Sequence, residues 1–70
     1  MKKRWYRILR DSRKVGLGWT VEFYNPDETL VRVSYWMTAD LALSAGAYWI
    51  SGADDDTLAN QEYRHGLLGR

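Results

Sequence analysis

The sequence predicts an α+β fold in which a three-stranded antiparallel sheet packs on one helix, in the order β-β-β-α, with a short C-terminal helix or irregular tail. Three segments alternate apolar and polar residues at the period of a strand. A proline-containing turn separates the second segment from the third, and an alanine-rich segment with helix-capping residues follows them. At 70 residues the chain is expected to form a single domain, 1–70, with a core over 1–53 and an extension over 54–70.

The first two strands are expected to pair through a glycine-containing loop. Residues Arg4 to Arg10 mix aromatic, branched and basic side chains, which is typical of a strand. Ser12 to Gly18 is predicted to be the loop because it contains two glycines. Trp19 to Tyr24 alternates regularly, which indicates that one face of this strand points into the core. The residues on that face are Trp19, Val21 and Phe23.

A turn over Asn25 to Glu28 is expected to connect the second strand to the third. Proline presets the backbone at its second position, and the Asn and Asp side chains can bond back to the main chain. Leu30 to Met37 then alternates again. The apolar residues of this strand are expected to face the helix: Val31, Val33, Tyr35 and Met37. The intervening residues are expected on the opposite, outer face of the sheet: Arg32, Ser34 and Trp36.

The helix is expected to begin after Thr38 and to end at Gly52. Thr38 is a good N-cap, Asp40 in the first turn suits the helix dipole, and glycine commonly ends a helix. Gly46 costs a free helix about 1 kcal/mol relative to alanine, so its expected role is close packing on the sheet. The predicted solvent stripe is Asp40, Ser44, Ala47 and Ser51, and the residues predicted to lie away from it are Leu41, Ala45, Tyr48 and Trp49.

The side chains expected to be nearly buried, where strand alternation and helix spacing converge, are Val21, Phe23, Val33, Leu41, Ala45 and Trp49. Beyond Gly52, the run Asp54 to Thr57 can cap a short helix through Tyr63, with Leu58 and Ala59 pointing inward. A strand around Glu62 to His65 is the alternative, and the last five residues are expected to fray.

The formal net charge of +1 conceals an uneven distribution. Residues 1–14 carry seven Lys or Arg and one Asp, whereas residues 15–70 carry three basic and eight acidic groups. A basic end can attract phosphate or an acidic protein, or it can protect an exposed edge strand from aggregation. The basic start lacks the apolar run of a signal peptide, and no segment reaches the ~20 apolar residues of a membrane helix. We therefore expect no membrane contact and a cytoplasmic location, in a host bacterium if the chain is phage-encoded.

Residues that support catalysis or bind metals are scarce. The chain has no Cys and a single His, His65, without a second ligand or an orienting acid at a useful spacing. Asp54, Asp55 and Asp56 are adjacent, whereas a calcium loop needs alternating ligands and a distal Glu. These aspartates can cap a helix or form a secondary acidic contact with a basic partner. We expect no enzyme activity, no cofactor and no metal site.

Aromatic residues are abundant, with four Trp, five Tyr and one Phe. They do not all fit a core of this size, and Tyr, Trp and Arg are enriched at binding hot spots. The candidate partner-binding residues are Trp5, Arg7, Arg10, Tyr24, Arg32 and Trp36. The alternative is that these rings stack across strands and stabilise the sheet.

The order of residues from 6 to 52 resembles the plant AP2-type DNA-binding domain and, more loosely, the arm-binding domains of phage integrases. The segments that carry the resemblance are Tyr6 to Arg10, Trp19 to Pro26, Arg32-Val33 and Thr38 to Asp40. It implies a sheet laid in the major groove of DNA, with Arg7, Arg10, Trp19, Glu22 and Arg32 facing the groove or the phosphates. The sequence departs from that family at Tyr24, where another Arg is usual.

In size, aromatic content and lack of chemistry the chain also resembles small phage-encoded proteins that disable a host protein, including anti-CRISPR proteins and inhibitors of host RNA polymerase. A dedicated DNA-binding domain usually has an isoelectric point above about 9, against 8.1 here. The expected function is therefore a non-enzymatic module that docks on a host protein or complex and inhibits it. DNA binding through the sheet is the second hypothesis and a small virion component the third, and a homodimer is left open.

Overall fold

The computed structural model describes residues 3–14 and 17–65, with side chains over 3–10 and 18–63. It contains strands β1 (Trp5–Lys14), β2 (Leu17–Tyr24) and β3 (Leu30–Trp36), followed by helices α1 (Ala39–Ile50) and α2 (Asp55–His65). The strands form one antiparallel sheet in the order β1-β2-β3. The predicted α+β architecture is confirmed, and the C-terminal extension forms a helix rather than a strand. The predicted fraying of 66–70 concerns residues outside those described.

The first hairpin is longer than predicted. Pairing is continuous from Trp5 opposite Tyr24 to Arg10 opposite Trp19, and after an irregularity Lys14 lies opposite Leu17. Residues 12–14 and 17–18 therefore belong to strands, and the predicted loop is wrong there; positions 15 and 16 lie outside the described residues. The pairing of Lys14 with Leu17 satisfies backbone groups that a loop would leave to water.

The turn between β2 and β3 forms where it was predicted. The Glu28 amide donates to the Asn25 carbonyl at 2.9 Å, and the Asn25 amide donates to the Thr29 carbonyl at 2.9 Å. The Asp27 carboxylate accepts a hydrogen bond from the Thr29 amide at 3.0 Å, as expected of a turn aspartate. Glu28 has φ 71°, the left-handed conformation that closes a three-residue hairpin loop.

The orientation predicted for β3 is wrong. Trp36 is only 2% exposed and lies opposite Trp19, whereas Met37 is 45% exposed. The register explains the reversal: Phe23 pairs with Arg32 but Tyr24 pairs with Leu30, so one extra residue, Val31, is inserted into β3. The residues facing the helices are therefore Arg32, Ser34 and Trp36. Of the apolar set predicted to face the helix, Val31 is exposed and Val33 is only partly buried.

Helix α1 has the predicted ends. The Thr38 hydroxyl accepts from the Leu41 amide at 3.2 Å, Ser51 is the C-cap, and Gly52 follows with φ 101°. Gly46 lies directly beneath the Tyr6 ring, where an added Cβ would stand 2.5 Å from a ring carbon, so close packing is confirmed as its role. The predicted solvent stripe is exposed. Tyr48, predicted to lie away from solvent, is also exposed, because the buried stripe of α1 is narrow and consists of Ala42, Ala45, Gly46 and Trp49.

The core lies between the sheet and the two helices. Its buried apolar residues are Val21, Phe23, Trp36, Ala42, Ala45, Trp49 and Leu58. Leu41 packs against this core but is only partly buried. Helix α2 begins at the Asp54 carboxylate, which accepts from the Thr57 amide at 2.8 Å, and contributes Leu58 to the core as predicted. Neither described helix is long and apolar enough to cross a membrane.

Candidate interaction surface

The sheet has one face packed against α1 and α2 and one face turned away from them, here called the open face. Residues alternate across the pleat, so the open face carries the side chains that alternate with Tyr6, Ile8, Val21 and Phe23. Its members are Trp5, Arg7, Leu9, Thr20, Glu22, Tyr24, Val33 and Tyr35. A shallow depression of about 500 Å³ crosses this face and is lined by residues of all three strands.

One end of the open face is formed by Trp5 and Tyr24. The two rings lie opposite each other on β1 and β2, with centroids 4.0 Å apart and planes inclined by 5°. Such a pair stabilises the sheet, as the alternative interpretation of the aromatic residues predicted. It also holds two large rings in one arrangement at the surface, and Trp5 remains 38% exposed.

The same end of the face is held from below by Trp49. Its indole Nε1 donates to the carbonyls of both Trp5 and Tyr24, each at 3.0 Å. The Arg4 guanidinium lies 3.7 Å above the Trp49 ring and donates to the carbonyls of Trp49 and Ala53, at 3.0 and 2.9 Å. Arg4 thereby satisfies one carbonyl in the last turn of α1 and one just beyond the helix, where a cation is favourable. Helix and strand together fix the backbone beneath the stacked pair.

Sequence reasoning missed this role of Arg4. A basic residue close to a helix C-terminus is a recognisable signal, but Arg4 reaches Trp49 across 45 residues of chain. No local pattern predicts that pairing. Leu9, Val33 and Tyr35 were missed as members of the open face as well, the last two because β3 was assigned the opposite orientation.

A small polar network occupies the middle of the open face. Arg7 Nη2 lies 2.7 Å and Arg7 Nε 2.8 Å from Glu22 Oε1, and the Tyr24 hydroxyl donates to the same oxygen at 2.9 Å. The hydrogen bond to Glu22 raises the pKa of Arg7 and also raises the pKa of Tyr24. The cation of Arg7 is therefore balanced by a carboxylate, and the open face has little net charge.

Arg32 and Trp36 were predicted to lie on the outer face, and both lie on the helix side. Arg32 Nη1 is 3.2 Å from Asp55 and Nη2 is 2.9 Å from Glu62, so this arginine ties β3 to α2. The second Glu62 oxygen accepts from the Tyr35 amide at 2.8 Å. Trp36 Nε1 donates to the Ser34 hydroxyl at 2.7 Å inside the core. The bulge at Val31 reverses both side chains, and neither belongs to the open face.

Arg10 differs from the other candidate arginines. Its side chain is exposed, its guanidinium lies 5.0 Å from the centroid of the Trp19 ring, and no carboxylate contacts it within the described part of the chain. Arg10 also lines the depression that crosses the open face, at the side of β1.

The three adjacent aspartates, Asp54 to Asp56, lie at the start of α2, and two of them contact other residues of the domain. Asp54 caps α2, and the hydrogen bond from Thr57 lowers its pKa below the ordinary value of 3.8. Asp55 contacts Arg32, and Asp56 is exposed in the first turn. Among the described residues no group of three His, Cys, Asp or Glu is arranged to hold a metal ion. The side chain of His65 lies outside those described.

Comparisons with family models, curated proteins and solved structures find no match to this chain. The two resemblances noted from the sequence therefore remain predictions. The residues that the AP2 resemblance assigns to DNA are divided between the two faces of the sheet. Arg7 and Glu22 lie on the open face, whereas Trp19 and Arg32 lie on the helix side.

Proposed function

We propose that this domain is a protein-binding module that docks through the open face of its sheet on a folded partner presenting an apolar, uncharged patch. The observation that carries the proposal is the make-up of that face. It combines the stacked Trp5–Tyr24 pair with apolar and aromatic side chains of all three strands, and its member Arg7 is already paired with Glu22. Arg10, which also lines the depression, is then the cation at this face without a carboxylate partner among the described residues.

Preorganisation of the anchor residues supports this function. Binding is weakened when side chains lose rotamer freedom at an interface, at about 0.5–1.5 kcal/mol for each rotamer-rich side chain. The Trp5 and Tyr24 rings are held against each other before any partner arrives, and Trp49 fixes the carbonyls of both residues. A partner that covers these rings therefore pays little additional ordering entropy. Large rigid rings of this kind are typical binding hot spots.

Charge supports a protein partner over DNA at this face. A DNA-binding surface needs several cations free to replace the counterions of the phosphates. Arg7 is neutralised by Glu22, whose carboxylate would itself face the phosphates, and Arg32 is directed to α2. A sheet laid in the major groove would thus bring a near-neutral surface to a polyanion.

DNA binding is retained as the second candidate because of the basic amino-terminal segment. Residues 1–14 carry a balance of +6, and Arg10 has no acidic partner among the described residues. This candidate uses the side of β1 rather than the open face. It predicts an affinity that falls steeply with salt, by roughly one logarithmic unit per phosphate contacted for each tenfold rise in salt concentration.

A narrower form of the protein-binding proposal is that the domain is phage-encoded and inhibits a host complex, as anti-CRISPR proteins do. It rests on size, aromatic content and the absence of catalytic motifs in the sequence. Inhibition of a purified host complex by the domain, lost on substitution of the open face, is the measurement that tests this narrower form.

The test of the general proposal is a capture experiment followed by affinity measurement. The immobilised domain is exposed to lysate, and each captured protein is purified and titrated calorimetrically with the wild type, with Trp5→Ala and with Tyr48→Ala. We expect Trp5→Ala to weaken the complex by about 2 kcal/mol, as loss of an aromatic hot-spot residue does. Tyr48 is a matched exposed aromatic on α1, so Tyr48→Ala should bind as the wild type does.

Repeating the titration at two salt concentrations separates the two candidate functions. A partner held by the open face should lose little affinity in high salt, because Arg7 and Glu22 on that face are already paired. Equal binding by Trp5→Ala and the wild type, together with a salt-sensitive shift of duplex DNA, would overturn the protein-binding proposal in favour of the second candidate.

A further inference from the structure

The two edge strands of the sheet, β1 and β3, differ in whether another element covers them. At the β3 edge the Tyr35 amide, which points away from the sheet, donates to Glu62 of α2 at 2.8 Å. Arg32 adds two further contacts between β3 and α2. This edge is covered by a helix, one of the ways in which proteins prevent an exposed strand from pairing with another chain.

The β1 edge has no such cover among the described residues. β1 is the longest strand, with ten residues, and β2 is its single partner in the sheet. The ladder to β2 is regular from Trp5 to Arg10, so the opposite edge of those six residues carries a regular row of outward N–H and C=O groups. The irregularity after Arg10 sets the length over which another strand could pair.

The positive charge of residues 1–14 favours pairing of β1 with an acidic strand. Lys3 and Arg10 are exposed and have no carboxylate partner in the described chain, and residues 1–14 as a whole carry +6. Two copies of β1 placed edge to edge would bring like charges together, which disfavours a second copy of this chain. A strand rich in Asp and Glu would be attracted to the same edge.

We propose that the β1 edge over Trp5 to Arg10 is a strand-addition site for an extended acidic segment of a partner protein. The added strand would supply the missing backbone hydrogen bonds, and its carboxylates would pair with the basic side chains along and beside β1. A strand added at this edge binds the backbone groups of β1, whereas a partner on the open face contacts side chains, so the two proposals are tested separately.

The probe is a synthetic peptide of eight residues that alternates Glu with Val, titrated into the intact domain. Its controls are a Lys-Val peptide of the same pattern and a Glu-Val peptide with a central proline, which cannot continue a ladder. Amide hydrogen exchange is followed by NMR with and without the peptide. We expect binding of the acidic peptide alone, with slowed exchange at alternate amides between Trp5 and Arg10 and no change in β3.

Two double variants test the contribution of charge. Lys3→Glu with Arg10→Glu should weaken peptide binding at least tenfold, since each reverses an exposed basic group at β1. Arg64→Glu with Arg70→Glu makes the same change in net charge outside residues 1–14 of the sequence and should bind as the wild type does. Circular dichroism of both variants checks that the fold is retained.

Three outcomes would overturn the proposal. The first is no binding of the acidic peptide. The second is binding without protection of β1 amides, or equal binding by the proline peptide, which would mean that the charges attract the peptide without strand pairing. The third is protection of the same amides by self-association, seen as a dimer in sedimentation, which would assign the edge to a second copy. Each of these leaves the open-face proposal untouched, because that proposal is tested by Trp5→Ala.

Discussion

β2 and β3 are neighbouring strands with similar alternating sequences, yet alternation predicts the orientation of β2 correctly and reverses that of β3. In β2, Val21 and Phe23 are fully buried, as predicted. In β3 the apolar Val31 is exposed and Trp36 is buried, and Met37, directly after the strand, is exposed. The difference shows that alternation establishes the period of a strand but establishes its phase only when one set of residues is clearly polar.

The two strands differ in how clearly their residues indicate which set faces the helices. In β2 the outward set begins with Thr20 and Glu22, so only one orientation buries the apolar residues. In β3 each set contains one large aromatic ring, Tyr35 in one and Trp36 in the other. The inward orientation also places Arg32 toward the helices, which is tolerable because α2 supplies Glu62 as its partner. That partner lies 30 residues later in the sequence.

The largest expected effect tests the orientation of β3 directly. Trp36→Ala and Phe23→Ala should each lower the free energy of unfolding by about 3–5 kcal/mol, since both remove a large buried ring. Met37→Ala should cost less than about 0.5 kcal/mol, because Met37 is exposed. Urea denaturation measures these changes. It is followed by tryptophan fluorescence for Phe23→Ala and Met37→Ala, and by circular dichroism for Trp36→Ala. A larger loss for Met37→Ala than for Trp36→Ala would restore the orientation predicted from the sequence.

Most of the fold follows from local signals. The turn at Asn25 to Glu28, the N-cap at Thr38 and the close approach at Gly46 each depend on residue types whose conformational preferences act over a few positions. The phase of β3 does not, because it depends on one inserted residue in the ladder and on a helix that follows much later.

The candidate surface was predicted less well than the fold. Trp5, Arg7 and Tyr24 do lie on the open face, because their strands alternate clearly and pair in register. Arg32 and Trp36 were assigned to it only through the reversed orientation of β3. The contacts of Arg4 with α1 depend on the packed arrangement of distant segments, which sequence periodicity does not contain.

The second prediction concerns the polar residue that β3 buries. Ser34→Ala removes the hydroxyl that accepts from Trp36 Nε1, which leaves a buried N–H without a partner. Such a loss costs about 1–3 kcal/mol. Ser44→Ala, at an exposed position on α1, is the matched control and should change stability by less than about 0.5 kcal/mol. Equal stability of the two variants would mean that the inner set of β3 tolerates an unpaired donor.

The third prediction concerns the contact that compensates the inward Arg32. The Arg32 and Glu62 side chains are 22% and 17% exposed, so their ion pair lies between surface and buried cases. Glu62→Gln should therefore cost about 1–2 kcal/mol. The Asp55 side chain is 68% exposed and more distant from Arg32, so Asp55→Asn should cost at most about 0.5 kcal/mol. The reverse order, measured by thermal denaturation, would show that Glu62 does not hold α2 to β3.

The fourth prediction concerns the turn that joins the two strands. Glu28 adopts φ 71°, which is strained for a residue with a Cβ and unstrained for glycine. Glu28→Gly should therefore raise the free energy of unfolding, by about 0.5–1 kcal/mol after the entropy lost by glycine is counted. Thr29→Gly, one position later, relieves no such strain and should destabilise. Destabilisation by Glu28→Gly would mean that the side chain of Glu28 contributes more than its strained backbone costs.

The smallest expected effect concerns the Asp54 carboxylate that caps α2. The Thr57 amide donates to the Asp54 carboxylate and lowers its pKa below the ordinary value of 3.8. Because the folded-state pKa is lower than the unfolded one, the stabilisation from Asp54 is present above the unfolded value and is lost as pH falls through the folded value. Asn also caps helices but carries no titratable group. The melting temperature of Asp54→Asn should therefore fall less than that of the wild type between about pH 5 and about pH 2.

Asp27, whose pKa is lowered by its hydrogen bond with Thr29 in the turn, predicts the same smaller fall in melting temperature for Asp27→Asn. Identical acid profiles for the wild type, Asp54→Asn and Asp27→Asn would show that neither carboxylate stabilises the structure through its charge.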